Sequence, residues 1–504
     1  MKSNFTRFLT LLLAFIVQIT FAQQQSVTGT VTDEDGLPLP GVNIIIKGTS
    51  TGVQTDFDGN YAINASQGDV LVFSFIGLVK TERTVGTSNS INVVMQADAA
   101  QLDEVVVTAL GVTANPRSLT YASETVTSDD IENTGETNLV NSLSSKAAGV
   151  SVVSSSGSVG ASSNIRIRGN TSINRSNSPL FVVDGVPIDN STVDNGVGGV
   201  DNSNRAVDIN QADIASIEIL KGTAAQTLYG LRAANGVILI TTKKGITGAP
   251  MVSVSSTLQF SEVNQLPDLQ KEFAQGSPRG GVLTYRGPET REGFSWGPRI
   301  SSLEFNGDTS YPYDRNGKLV PQGEGNGQPA NAYDHYDFFV TGVLQEQNVS
   351  VRGGSEKIKY YVSGSNLDQT GVAPKEDFAR KSFRSDISAF LTDKFELSAS
   401  GNYVTSGGRR VQRGSNVSGI MLGLLRSTPT FDNGNGRSGR LAASTPETYE
   451  LPDGTQRSYR AGIYDNPYWT VAKNPSFDDV KRFIGRLSFE YKPFDWATVQ
   501  GTLG

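Results

Sequence analysis

The stretch Asp213–Gly245, DIASIEILKGTAAQTLYGLRAANGVILITTKKG, decides how the chain is read. Ile214, Ile217 and Ile219 are set among polar residues up to Leu220, as a strand with one buried face requires, and Lys221-Gly222 breaks the run. Small residues then favour a helical segment, and Gly236 leads into the apolar run Val237–Ile240, a second strand. Strand, turn, helical segment and strand in so short a span predict the core of an α+β domain.

Two further motifs lie upstream in order: Ile165-Arg166-Ile167-Arg168-Gly169, and Pro179-Leu180-Phe181-Val182-Val183-Asp184-Gly185-Val186-Pro187. Three ordered motifs are far more specific than any one of them. Together they resemble the plug domain of the TonB-dependent outer-membrane transporters, in the SusC/RagA-like branch.

The compartment follows from the N-terminus. Lys2 and Arg7 precede an apolar run from Phe8 to Ile19, followed by Thr20-Phe21-Ala22 before Gln23. This is the pattern of a signal peptide over residues 1–22, cleaved between Ala22 and Gln23, and too short to remain as a membrane helix. The chain has no cysteine, hence no lipobox, disulfide framework or thiolate metal site. A net charge of −7 without any basic stripe argues against a nucleic-acid partner. The single histidine, His335, lies in Tyr333-Asp334-His335-Tyr336-Asp337 with no nucleophile beside it in sequence. No catalytic constellation, cofactor site or metal site is therefore expected.

Residues 23–96 are expected to form a small β-sandwich. Val42, Ile44 and Ile46 share one strand face, and Asp35-Gly36, Asp58-Gly59 and Gln67-Gly68 supply turns. The segment resembles the carboxypeptidase-regulatory-like domain, a resemblance that implies no peptidase activity. Asp56, Asp58 and Asn60 echo a calcium loop, but the glycine at the third position after Asp56 and the missing distal Glu favour a hairpin turn. Residues 97–116 read as a linker. Within it Asp103, Glu104, Val105, Val106, Val107, Thr108 and Ala109 form an isolated β-prone run that can add to another protein's sheet edge, or else close a neighbouring sheet. The resemblance identifies this run as the TonB box. The plug is placed at residues 117–248. There Arg166 and Arg168 share a strand face and are expected to pair with acidic groups of the inner barrel wall, solvated arginines being the alternative.

From residue 249 to 504 strict alternation takes over. Val252, Val254, Leu258 and Phe260 oppose serines and Gln259; Phe383 opposes Arg384, Asp386 and Ser388; Phe483, Leu487, Phe489 and Tyr491 oppose Arg486, Ser488, Glu490 and Lys492. Strands are expected at 251–261, 344–353, 357–367, 382–391, 394–405, 482–492 and 495–504. Tight turns then lie on one side, with long links at Glu262–Val343, Asp368–Lys381 and Ser406–Lys481 on the other, as outer-membrane barrels are built. Phe338-Phe339, Tyr360-Tyr361, Tyr403, Tyr491 and Trp496 near the strand ends fit girdles against outer-membrane lipid. Plugged transporters use about twenty-two strands, so the seven are expected to be the first part of an incomplete barrel.

The expected fold is thus mainly β: sandwich, α+β plug and the first strands of a transmembrane barrel. The resemblance implies an importer of oligosaccharides or peptides, energised by the TonB-ExbB-ExbD complex and covered by a SusD-like surface lipoprotein. A receptor signalling to an anti-sigma regulator is the alternative, disfavoured because Val27–Gln96 lacks a convincing helix. A non-transporting barrel explains neither the plug motifs nor the box, and an enzyme lacks a constellation. Trp296, Tyr311, Tyr313, Tyr464, Tyr468 and Trp469, in the long loops, are the candidate ligand contacts, with packing against one another as the alternative.

Overall fold

The computed structural model describes residues 25–33, 36–49, 51–75, 78–96, 106–107, 113–114, 123–132, 134–173, 176–192, 198–494 and 496–504. Contacts divide the chain into two compact units, one holding the N-terminal sheets and the other the remainder from Thr120 onward.

The first unit packs two sheets face to face. One orders Asn60–Ala65, Gln25–Thr32 and Val93–Val94; the other orders Gly52–Gln54, Asn43–Ile46, Val70–Ser74 and Thr81–Thr84. Period-two patterning builds the core: Val27, Val31, Val42, Ile44, Ile63, Leu71 and Phe73 are all buried between the sheets. Tyr61 meets Phe73 edge-on at 5.4 Å, donates its hydroxyl to the Ile91 carbonyl at 2.8 Å, and has its pKa pushed up by burial to about 12. Asp56 caps its own turn by accepting from the amides of Asp58 (3.0 Å) and Asn60 (2.8 Å). Gly59 takes the left-handed φ of 74° that the turn needs. The Asp56 carboxylate thus serves the hairpin.

In the second unit, the quoted stretch forms the strand Ile214–Leu220, the helix Thr223–Tyr229 and the strand Val237–Thr242. The two strands pair antiparallel, Ile217 opposite Ile240, at the centre of a five-stranded sheet. Ser123–Thr127 flanks one side, and Leu180–Val183 followed by Val186–Ile188 the other. Asp184 (φ 48°) and Gly185 (φ 87°) turn that last hairpin, both at the positive φ that a two-residue turn demands. The apolar set around Ile131, Leu139, Val140 and Leu143 falls on two short helices, Ser128–Glu132 and Leu139–Ser142, separated by Gly135 at φ 67°.

The seven expected strands are present as one antiparallel meander: Gly248–Ser261, Gly342–Gly354, Ile358–Thr370, Asp377–Thr392, Phe395–Arg410, Ser476–Phe494 and Ala497–Leu503. Burial alternates most clearly on the inner strands. On the fourth strand Arg380, Ser382, Arg384 and Asp386 are buried on the side facing the five-stranded domain, while Phe383, Ile387 and Leu391 are exposed on the other. Two expectations need correction. The link expected at Asp368–Lys381 is only Gly371–Glu376, because both flanking strands continue past their apolar stretch with polar residues that still pair, Asp368 with Ala379 and Asn366 with Lys381. Phe338 and Tyr361 are fully buried rather than facing lipid, whereas Tyr403, Tyr491 and Trp496 are exposed.

The two long loops share a core. Helices Ile420–Arg426, Gly439–Ala443 and Pro467–Lys473 of the later loop close over Phe338 of the earlier one. Arg457 lies fully buried between them, donating to the carbonyls of Asp432 (2.7 Å), Thr448 (3.1 Å) and Tyr313, with its guanidinium 4.6 Å from the Phe431 ring.

Candidate functional site

The chemistry of the second unit concentrates where the five-stranded domain meets the inner face of the meander. The carboxylates of three aspartates on the domain side are buried there. Asp213 precedes the central strand and accepts through one oxygen from Tyr361 Oη (2.8 Å) and Ser363 Oγ (2.6 Å), both on the third strand of the meander. Asp208, at the end of a 3-10 turn, accepts from Ser406 Oγ (2.6 Å) and lies 3.4 Å from Arg482 and 3.3 Å from its neighbour Arg205. Asp184, in the hairpin turn, accepts from the amide (3.0 Å) and hydroxyl (2.6 Å) of Thr242 and faces Arg384 at 3.4 Å.

The wall answers with arginines. Arg380 donates to the carbonyls of Val207 (2.9 Å) and Ile209 (3.2 Å) while pairing with Glu346 at 2.8 Å. Arg410 is held by Asp478 at 2.8 Å, reaches Ser203 Oγ at 2.8 Å and bonds the Val159 carbonyl. Arg482 donates to the Asp189 carbonyl (3.0 Å), and Arg486 to that of Asp184 (3.3 Å). Pairs this buried gain strength from low local dielectric, and the added hydrogen bonds repay part of their desolvation. An apolar cluster also joins the two, Val159 and Val207 of the domain packing with Leu344, Leu367 and Phe378 of the meander.

Two glycines permit a further close approach. The Gly199 carbonyl accepts from the amides of Arg413 (2.9 Å) and Gly414 (3.1 Å), and a Cβ on Gly199 would sit 2.7 Å from the Gly414 backbone. Gln412 also donates to the Gly198 carbonyl at 2.8 Å. The 198–204 segment is thereby tied to the root of the later long loop. At the opposite edge, Lys221 pairs with Glu124 at 2.6 Å. With the Ala148 amide this holds the Glu124 carboxyl below its ordinary pKa and pins the strand Ser123–Thr127.

The residues singled out from sequence distribute unevenly. Arg166 and Arg168 are both exposed, and the recorded ion pairs between domain and wall are made by other residues. Sequence alternation placed Arg384 and Arg486 on the polar face but did not reveal their role. Ala22, Gln23, Asp103, Glu104, Val105, Thr108 and Ala109 lie outside the described residues. Val106–Val107 is a two-residue strand paired with Thr113–Ala114 in the same linker.

Among the loop aromatics, Tyr468 belongs to the loop core, fully buried with its ring 5.0 Å from Phe338 and its hydroxyl accepting from the Gly439 amide. That burial removes it as a ligand contact. Trp469 packs against Tyr449, and Tyr464 stacks on Tyr459 between Arg426 and Arg460. Tyr311 and Tyr313 pack together, Tyr311 donating to Glu289 at 2.7 Å; Trp296 is exposed beside Phe273. His335 is buried in the loop core, Nδ1 lying 3.4 Å from Asn433 Nδ2, and burial lowers its pKa.

Comparison with known proteins follows this geometry. Residues 27–107 match the CarboxypepD_reg-like domain, and residues 115–237 match the TonB-dependent Receptor Plug Domain. The TonB-dependent receptor SusC of Bacteroides thetaiotaomicron is 32% identical over 97% of this chain and 45% of its own length. The chain is homologous to the SusC-type TonB-dependent receptors. TonB-dependent receptor P3 of Formosa agariphila is likewise 34% identical over 100% of this chain and 44% of its own. The chain thus spans a little under half the length of these curated relatives. The RagAB peptide importer in its open-open state shares the fold, with a TM-score of 0.57 at 20% identity over 79% of this chain and 42% of that one. The five-stranded domain is a receptor plug, and the meander is part of a barrel wall.

Proposed function

We propose that this chain carries the gate of an energised outer-membrane importer. The observation behind the reading is the plug's seat: buried Asp184, Asp208 and Asp213 held by Arg384, Arg482, Tyr361 and Ser363 of the wall. A folded plug clamped by polar contacts is a closed gate that needs work to open. On this reading Asp103–Ala109 is the TonB box, gripped through the periplasm by the TonB-ExbB-ExbD complex. The exposed apolar face of the wall, with Phe383, Ile387, Phe483 and Trp496, meets outer-membrane lipid. Arg166 and Arg168, both exposed, pair with acidic groups of the inner barrel wall.

The long loops face outward, under a SusD-like lipoprotein, and the ligand is an oligosaccharide or a peptide. Trp296, Tyr311, Tyr313, Tyr464 and Trp469 are the aromatic contacts available to it. The signalling alternative gains no support from the N-terminal unit, whose described residues between 25 and 96 form strands and turns without a helix.

The test is Val106→Pro in the full-length protein. Proline removes a backbone donor from the box, so strand addition by TonB fails: uptake is lost while surface ligand binding persists. Unchanged uptake would refute the box assignment.

A further inference from the structure

We propose that a single water molecule is bound between plug and wall, held by Asp213, Asn402, Arg384 and Arg486. A cavity of about 20 Å³ lies between the plug turn at Asp184, the 3-10 turn ending at Asp213 and the fourth, fifth and sixth barrel strands. One water needs roughly 10–15 Å³ of such space, so it fits and a second does not.

Val183, Val186, Ile209 and Ile484 give the lining apolar surface, but four buried polar atoms of other lining residues have no hydrogen-bond partner among the described residues. They are Asp213 Oδ2, Asn402 Oδ1, Arg384 Nε and Arg486 Nε. Asp213 is 4% exposed, and its other oxygen is already taken by Tyr361 and Ser363. Leaving a buried polar atom unpaired costs about 1–3 kcal/mol, and the four residues that carry these atoms all line one small space.

The chemistry of the lining selects the occupant. Two acceptors and two N–H donors are what a water molecule satisfies with its two protons and two lone pairs. A monovalent cation would suit the carboxylate and amide oxygens but would sit against two guanidinium groups. An anion would suit the guanidinium groups but would face the carboxylates of Asp213 and Asp184. Water alone answers all four. The Asp213 carboxylate is thereby linked directly to the third barrel strand and through water to the fifth and sixth.

The experiment is a crystal structure of the full-length protein at a resolution that shows ordered water, repeated after a thallium soak, for wild type, Asn402→Ser and Asn402→Leu. The expected result is one peak within hydrogen-bond distance of Asp213 Oδ2 and Arg486 Nε, without thallium anomalous signal. It should be kept in Asn402→Ser, where an acceptor and space remain, and lost in Asn402→Leu, where the side chain fills the cavity. No peak in the wild type overturns the proposal, as does a thallium signal there, which would make the site a cation site. A peak that persists in Asn402→Leu overturns the assigned ligand set. If the leucine variant does not fold, the wild-type and serine structures still decide.

Discussion

Replacing Asp213 by alanine tests how the plug is seated. In the native arrangement one carboxylate oxygen accepts from Tyr361 at 2.8 Å and Ser363 at 2.6 Å, with all three side chains buried. Hydrogen bonds to a charged group contribute about 1.5–3 kcal/mol each. Two such bonds set an upper range of roughly 3–6 kcal/mol, and water entering the vacated space recovers part of it. A net loss of about 3 kcal/mol corresponds to roughly a hundredfold rise in the population with the plug displaced.

The assay exploits the absence of cysteine from the chain. Ser382→Cys places one thiol on the plug side of the fourth strand, 8% exposed, between Arg380 and Arg384, which both bond the plug. With fast reclosing, labelling by a membrane-impermeant thiol reagent follows the opening equilibrium. Asp213→Ala should label about a hundredfold faster than its parent, and Tyr361→Phe about tenfold faster, from one lost bond. The double variant should label no faster than Asp213→Ala alone, since both changes remove the same bond. Labelling of Asp213→Ala at the parental rate would refute the seat.

Two further outcomes follow from the loops and the N-terminal unit. Burial lowers the pKa of His335 from its ordinary 6.5, so the folded loop layer holds it neutral while the unfolded loop takes up a proton. Its stabilisation is complete above about pH 6.5 and is lost as pH falls through the folded value. Thermal unfolding of the loops should therefore drop in midpoint on acidification below that pH in the wild type and less steeply in His335→Gln; equal slopes would remove His335 as the cause. Residues 26–96, expressed alone, should unfold cooperatively on heating, because Val27, Val42, Ile44, Ile63, Leu71 and Phe73 form a core within them. A non-cooperative melt would show that the sandwich depends on other parts of the protein.

What could be read from the sequence was whatever repeats locally. The alternation around Phe383 and Phe483 revealed the barrel strands and which of their faces is polar, because a strand's side chains alternate whatever lies opposite. The glycine-punctuated run from Asp213 to Gly245 revealed the centre of the plug. Strand lengths were underestimated where apolar residues stopped but pairing did not, as at Asp368 opposite Ala379. The loop aromatics carry no period at all, so Tyr468 in the core and Trp296 at the surface look alike in sequence although one is fully buried and the other exposed.

The plug seat was the least legible part, and the reason is distance along the chain. Arg486 lies 302 residues from Asp184, Ser406 198 from Asp208, and Tyr361 148 from Asp213. Alternation announces that Arg384 and Arg486 face inward but not what they face. The conspicuous arginines of the plug motif, Arg166 and Arg168, drew attention instead, although both are exposed. In this chain the recorded ionic contacts of the seat place cations on the wall and carboxylates in the turns of the plug. That polarity suits a gate: the carboxylates sit in short turns beside the rigid five-stranded sheet, while the long arginine side chains reach them from a wall that need not move.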